Sequence, residues 1–252
     1  MSATAAMAAP QVLTPEWRAP RSVRAAFTLR GGGVSAAPFD SLNLGAHVGD
    51  SSAAVAENRR RVREGLHLPA EPVWLEQVHG TRVADLDAPQ EAGAGADAAI
   101  TRRAGRVCVV QVADCMPVLF AARDASAVAL AHAGWRGLAA GVLEATLARL
   151  GVAAGELIGW LGPAISARHF EVGDEVRTAF LERDRGAAAA FTGNARGRWQ
   201  CDLAALARRR LSALGVTEIS GGSWCTYADP GRFFSFRRDG RCGRMAALIW
   251  LE

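Results

Sequence analysis

Apolar residues gather along the chain in short runs broken by polar and glycine-containing stretches. Residues 22–29, "SVRAAFTL", alternate well enough for a strand and lead into Arg30 and the glycine turn at 31–33. "DAAIT" (97–101), "VCVVQVA" (107–113), "VLFAA" (118–122) and "AVALAHA" (127–133) have the short, continuous apolar character of strands buried in a layered sheet. "PVWLEQVHG" (72–80) is apolar, then polar, and closes on Gly80, as a strand feeding a loop does. "VADLD" (83–87) continues as a second strand, and "LIGWLGP" (157–163) and "MAALIWL" (245–251) supply two more. A helical pattern marks "GDSSAAVAENRRRVREGL" (49–66), with Asp50 or Ser51 near its N-cap, and the stretches 138–150, 173–183 and 202–214. Consecutive strands mixed with helices predict an α/β chain of the α+β type, layered rather than a regular βαβ repeat.

Composition changes this picture in a few places. A chain of 252 residues, half of them hydrophobic and 21% charged, suits a globular protein of one domain. No apolar run approaches the roughly 18 residues of a membrane span. The opening "MSATAAMAAPQVL" lacks a basic region followed by a continuous apolar one, so residues 1–15 are expected to be a frayed start ahead of a domain at 16–252 in a cytoplasmic protein. All 29 basic residues are arginine. Schiff-base lysine chemistry and a Walker-type phosphate lysine are thereby excluded, and an anion must be held by arginine, backbone N–H groups or metal. The net charge of +4 is modest, the arginine triplets at 59–61 and 208–210 read as solvated helix faces, and no basic stripe interleaved with aromatics suggests nucleic-acid binding. The five cysteines are odd in number and form no CxxC pair, which argues against a disulfide framework or a zinc knuckle and for a reducing compartment.

Five histidines remain to be weighed. His67 and His169 are expected at the surface, and His47 in "LGAHVGD" is open. His79 and His132 fall where apolar strands give way to glycine, in "EQVHG" and "LAHAGWRG", and strand ends are where sites gather on layered α/β folds. Cys115, beside Asp114 in "VVQVADCMPVLF", occupies the same kind of place. Two imidazoles and a thiolate form a zinc set with a vacant position, as a catalytic zinc requires. Equally, the residues read as two satisfied histidines with a buried thiol, or as a Cys115 nucleophile with His79 or His132 as its base. Asp114 is a candidate partner for a ligating imidazole or a proton shuttle, and equally a turn cap before Pro117. In "HAGWRGLAAG" a strand, a turn and a helix start place Arg136 beside unpaired N–H groups, which favours an oxyanion. Arg30, Arg237 and Arg238 sit on similar glycine-bearing turns.

The motifs "TLRGGGVS", "SLNLGAHVGD", "ENRRRV", "WLEQVHG", "ADCMPVLF", "AHAGWRG", "LGPAIS" with "FEVGDEV", and "CTYADPGRFFSFRRDGRCGRMAALIWL" occur in that order from about Glu16 to the C-terminus. Together they resemble the YfiH-like family, also called the polyphenol-oxidase or purine nucleoside phosphorylase laccase-domain family. The resemblance implies a single-domain, four-layer α/β/β/α sandwich with mixed sheets, similar to toxin-type Cys-His hydrolases. It implies one catalytic Zn²⁺ held by His79, Cys115 and His132, with copper as a substitute. The implied activities are phosphorolysis of adenosine, inosine, guanosine and methylthioadenosine, and deamination of adenosine. Arg30, Asn43, Asp114, Arg136, Arg237 and Arg238 are then the candidate substrate- and phosphate-binding residues, and purine nucleosides and phosphate the partners of a monomer or weak homodimer without nucleic-acid or membrane contacts. Hydrolysis of peptidoglycan precursors and copper-dependent polyphenol oxidation are the alternatives, although five histidines cannot furnish a four-copper laccase. The chain departs from the family pattern at Ala164 and Ser166, where cysteine and glycine are commoner, and at Phe236, where tyrosine is common; these touch substrate preference rather than the proposed ligands.

Overall fold

The computed structural model describes residues 10–88 and 95–252. In chain order the elements begin with β1 (Val12–Leu13), β2 (Val23–Thr28), α1 (Ser52–Gly65), β3 (Val73–Trp74), β4 (Val83–Asp85) and β5 (Ala98–Thr101). β6 (Val107–Val112), β7 (Met116–Ala122), β8 (Val128–Ala133), α2 (Trp135–Ala140), α3 (Val142–Leu150) and β9 (Leu157–Leu161) follow. The remainder holds β10 (Glu171–Val172), α4 (Asp174–Leu181), β11 (Phe191–Gly193), β12 (Trp199–Cys201), α5 (Leu203–Ala213), β13 (Glu218–Gly221), α6 (Phe236–Asp239) and β14 (Met245–Leu251).

Three sheets result. The first has the order β1-β2-β14-β6-β3 and the second β13-β9-β7-β8-β5-β4, while β10-β12-β11 make a small third. The first two are mixed: β3 runs parallel to β6, β13 to β9 and β4 to β5, and the other pairs are antiparallel. Strand alternation sorts side chains onto the two faces. On β6, Cys108, Val110 and Val112 meet Leu119, Ala121, Val128 and Leu130 of the second sheet, forming a core between the sheets. Val107 and Val109 point the other way, to Val62 of α1 and to Leu42 and Leu44. The opposite face of the second sheet, with Val118, Phe120, Ala129 and Ala131, packs against Leu138, Leu143, Phe180 and Leu206 from α2 to α5. This two-sided burial explains why the strands read as continuous apolar runs rather than as alternations.

The structure differs from the expectations in particulars. Residues 1–9 of the expected frayed start lie outside the described residues, but Val12 and Leu13 are paired with Thr28 and Phe27. The helix expected at 138–150 starts earlier and is two helices, broken at Gly141, whose φ of 104° a side chain would resist. β3 is only two residues long, pairing Val73 and Trp74 with Cys108 and Val109 of β6. The arginine triplets are held rather than simply solvated. Arg59 stacks on Trp74 and donates to the Leu44 carbonyl at 2.9 Å, and Arg208 donates to the carbonyls of Ile219 and Gly221. No helix among the described residues is long and apolar enough to cross a membrane.

Candidate active site

Topology brings the site together. β8 is antiparallel to both β5 and β7, so the start of β5, the start of β7 and the end of β8 lie at one end of the second sheet. His132 is opposite Pro117 in that ladder, and its N–H donates to the Asp97 carbonyl at 2.7 Å. It continues the row of Val128 and Leu130 toward the first sheet. Cys115 lies in the short passage from β6 to β7, where the chain crosses from one sheet to the other. His79 reaches the same point from the loop after β3 with a positive φ of 60°.

The ligand atoms of His79, Cys115 and His132 lie within 4.8 Å of one another. Cys115 Sγ is 3.8 Å from His79 Nε2, and the two imidazole rings meet edge to face with centroids 4.8 Å apart. His132 and Asp97 are buried, Cys115 is half-buried and His79 is exposed, so the cluster opens to solvent on one side. Gly134 makes the close approach possible: a Cβ there would stand 2.8 Å from Cys115 Sγ and 3.0 Å from a His79 ring carbon.

Asp97 organises the cluster. One carboxylate oxygen accepts from His132 Nδ1 at 2.8 Å and from the His79 N–H at 2.9 Å. The other accepts from the N–H groups of Val78 at 3.1 Å and Gly80 at 2.6 Å. A single buried carboxylate thus shapes the loop that carries one imidazole and orients the ring of the other, leaving His132 Nε2 for the cluster. Burial pushes the Asp97 carboxyl up, but the His132 ring and the Gly80 and His79 N–H groups outweigh it and hold its pKa below the ordinary value. Burial likewise pushes the Cys115 thiol up, yet the His132 and His79 imidazoles prevail and bring it down to about 6. For His132, burial is outweighed by the Cys115 thiolate and the Asp97 carboxylate, which raise it.

This donor set suits one divalent cation: the thiol ionises readily, a carboxylate fixes the tautomer of one imidazole, and the cluster keeps an open side. Among the described residues it is the one group of three or more such side chains placed to hold a metal ion.

The cluster lies in a cleft of about 520 Å³, which Arg136, Arg237, Asp114 and His47 also line. The Arg136 guanidinium is exposed, lies 4.4 Å from the Trp135 ring centre and makes no ion pair among the described residues. Arg237 donates through Nη1 to the Glu171 carbonyl at 2.7 Å. Asp114 has a φ of 91°, and its oxygens accept from the Thr226 hydroxyl at 2.6 Å and the Arg237 N–H at 2.7 Å. Asp114 therefore braces the crossing loop, and the carboxylate behind the imidazole is Asp97 instead. Burial and the charges of Arg244 and Arg59 hold His47 below its ordinary pKa, which keeps that imidazole neutral in the cleft.

Arg30, Asn43 and Arg238 do not line the cleft. Arg30 grips the carbonyls of Asp40 and Pro230, and Arg238 those of Thr226, Tyr227 and Phe233. Asn43, fully buried, ties Gly45, Asp50 and the Arg244 N–H together. His67 is exposed as expected, and His169 stacks on Tyr227 with centroids 4.4 Å apart. Sequence reasoning missed Asp97, although an acid heading a buried strand in "DAAIT" was a usable signal. It also missed Gln111, the amide inside "VCVVQVA" that lines the cleft.

The fold is of the mixed α/β type, and the chain belongs to the multi-copper polyphenol oxidoreductase laccase family, whose model matches residues 24–252. It is 54% identical over 241 residues to Purine nucleoside phosphorylase PA4543 of Pseudomonas aeruginosa, covering 95% of this chain and 98% of that one. It is 49% identical to Purine nucleoside phosphorylase YfiH of Escherichia coli, covering 96% and 99%. The crystal structure of Neisseria meningitidis protein NMB0706 superposes with a TM-score of 0.92 at 47% identity, covering 96% of this chain and 99% of that one. The YfiH-like resemblance read from the motifs is thus borne out.

Proposed function

We propose that this chain is a zinc-dependent purine nucleoside phosphorylase. It would act on adenosine, inosine, guanosine and methylthioadenosine, and deaminate adenosine in the same cleft. The observation that carries this reading is the meeting, in one cleft, of the His79, Cys115 and His132 donor set with the unpaired Arg136. The names of the similar relatives support it.

In phosphorolysis a phosphate oxygen bonds to the anomeric carbon while the bond to N9 breaks. The bonding pair leaves with the purine, which takes up a proton. Arg136 is suited to hold two phosphate oxygens at once and to orient the third toward the sugar. Trp135, under the Arg136 guanidinium, limits the directions that side chain can take. Asp97 keeps the Nδ1 proton on His132, so the other ring nitrogen is a lone-pair donor. A zinc ion held by His79, Cys115 and His132 would supply Lewis acidity that lowers the pKa of a bound water toward ~7. Deamination adds the elements of water at the purine carbon bearing the amine and releases ammonia. The free thiols suit a reducing, cytoplasmic setting. The order of helix, two sheets and helices supports a single four-layer domain like that of the toxin-type Cys-His hydrolases.

The test is chromatography of adenosine incubated with zinc-loaded protein, with and without phosphate. Free adenine only with phosphate establishes phosphorolysis, and inosine in either buffer establishes deamination; unchanged adenosine in both refutes the reading.

A second reading has its own observation. A thiol brought down to about 6, beside an imidazole backed by a carboxylate, is also the arrangement of a Cys-His hydrolase, here acting on peptidoglycan precursors. About one zinc per chain in untagged protein favours the metal, whereas a metal-free enzyme inactivated by alkylation at Cys115 favours the hydrolase. The several coppers of the family description find no second cluster among the described residues, so copper oxidation would rest on the same three ligands.

A further inference from the structure

We propose that Gln111 reads the purine at its 6-position, and that its amide turns over to accept either a 6-amino or a 6-oxo base. This deepens the phosphorylase reading and rests on it. Gln111 continues the row of Val107 and Val109 on β6, at the end where the cleft opens. The residue is only 6% exposed, yet it lines the cleft. Its Oε1 is sealed from solvent and accepts no hydrogen bond. No described residue accepts from its amide nitrogen either. Buried polar atoms are nearly always paired, so an orphaned amide on the wall of an open cleft points to a partner that arrives with the ligand.

Gln77 provides the contrast. Its Nε2 donates to the Gln111 carbonyl at 2.9 Å and its Oε1 accepts the Gln111 N–H at 2.7 Å. Gln111 is also in register with Ala246 of β14. One glutamine therefore fixes the backbone, while the other, mounted on that fixed backbone, has nothing to hold its own amide.

The chemistry of the substrates matches this freedom. Adenine offers a donor at its 6-amino group and an acceptor at N1. Hypoxanthine reverses both, with an acceptor at O6 and a donor at N1. A glutamine amide carries one donating and one accepting end, and a half-turn about its last bond exchanges them. For Gln111 that half-turn breaks no hydrogen bond with a described residue. Arg244, on the same wall, can only donate, and a neutral His47 carries its donor and acceptor on separate nitrogens.

The experiment compares steady-state phosphorolysis by wild type, Gln111→Glu and Gln111→Leu on adenosine, inosine and purine riboside, which bears only hydrogen at carbon 6. At position 6 an ionised glutamate accepts from the amino group of adenosine and repels the O6 of inosine, so with the contact at that position Gln111→Glu raises the adenosine-to-inosine ratio of kcat/KM by about tenfold. Gln111→Leu lowers kcat/KM for adenosine and inosine by about tenfold, mainly through KM, and affects purine riboside less than about threefold. Thermal midpoints and zinc content measured alongside separate a folding defect from a recognition defect. An unchanged adenosine-to-inosine ratio in Gln111→Glu, or an equal loss on all three nucleosides in Gln111→Leu, overturns the proposal and leaves the phosphorylase reading standing. Absence of phosphate-dependent cleavage of every nucleoside by wild type overturns both.

Discussion

Replacing Asp97 with asparagine tests whether one buried carboxylate organises the whole cluster. The side chain keeps its size, and no cavity is made. Its two oxygens currently accept four donors, two on each oxygen. In Asp97→Asn one oxygen becomes an NH₂ group, so whichever way the amide turns, two donors face another donor. Turned toward Val78 and Gly80, it breaks the grip on the loop that carries His79. Turned toward His132, it forces the imidazole proton onto Nε2, the nitrogen that must present a lone pair to a cation. Hydrogen bonds to a charged acceptor contribute ~1.5–3 kcal/mol each, so two lost bonds amount to about 3–6 kcal/mol. That is a large part of the ~5–15 kcal/mol by which an ordinary domain is stable. Loss of the carboxylate behind a ligating histidine lowers metal affinity by about 10- to 100-fold. Urea unfolding of the metal-free protein measures the first effect, and competition for zinc with a chromophoric chelator measures the second. A variant with the wild-type urea midpoint and wild-type zinc affinity would refute the argument. A lower midpoint with unchanged zinc affinity would confine Asp97 to holding the loop.

Three further outcomes are expected. Gly134→Ala is tolerated by its backbone, with φ at −67°, but puts a methyl 2.8 Å from Cys115 Sγ. Circular dichroism should stay native while zinc affinity falls about tenfold or more, as overpacking at a close contact implies. Arg136→Ala should raise the KM for phosphate by roughly tenfold and leave saturation by the nucleoside little changed, with Arg136→Lys restoring only part of the loss; initial rates at varied phosphate decide it. In metal-free protein the Cys115 thiol ionises as pH rises through about 6, so its iodoacetamide rate should reach half-maximum there. An ordinary cysteine does so near ~8.5. A profile of the ordinary kind would show that the imidazoles do not act on the sulfur, and added zinc should suppress the reaction.

Much of the fold was legible because strands buried on both faces leave continuous apolar runs, and those runs survive as β2, β4 to β9 and β14. β1 and β10 to β13 were not legible: they are as short as β4 and β5, but unlike β5, which is buried throughout, each holds partly or fully exposed positions, so no continuous apolar run marks it. The break at Gly141 was visible only as a glycine inside a helical pattern, and its positive φ is a product of packing α2 and α3 on the same sheet. Of the candidate site, His79, Cys115 and His132 could be picked out one at a time from their places at strand ends. Their meeting could not, because separations of 36 and 17 positions carry no geometry. The arginines illustrate the opposite limit. Arg30, Arg136 and Arg238 stand on similar glycine-bearing turns, yet Arg30 and Arg238 are bound to backbone carbonyls while Arg136 has no hydrogen bond or ion pair among the described residues. Only the fold determines which guanidinium finds a carbonyl.

The position of the cleft follows from the point at which the chain changes sheets. β6 lies in the first sheet between β14 and β3, and β7 lies in the second between β9 and β8, so residues 113–115 must bridge the core between the two. A bridge at the end of a sandwich cannot be covered by either sheet, and its backbone polar groups need other partners. Asp114 meets that need by taking a left-handed conformation and binding Thr226 and the Arg237 N–H, which closes the bridge against the loop before α6. The turn that this produces presents Cys115 toward the gap between the sheets, where His132 arrives from the next strand and His79 from the loop after β3. The cleft is then lined by what lies at each sheet's margin: Gln111 near the end of β6, in the row turned away from the second sheet, and Arg136 just after β8. One crossing therefore accounts for a polar cluster at the edge of an apolar core.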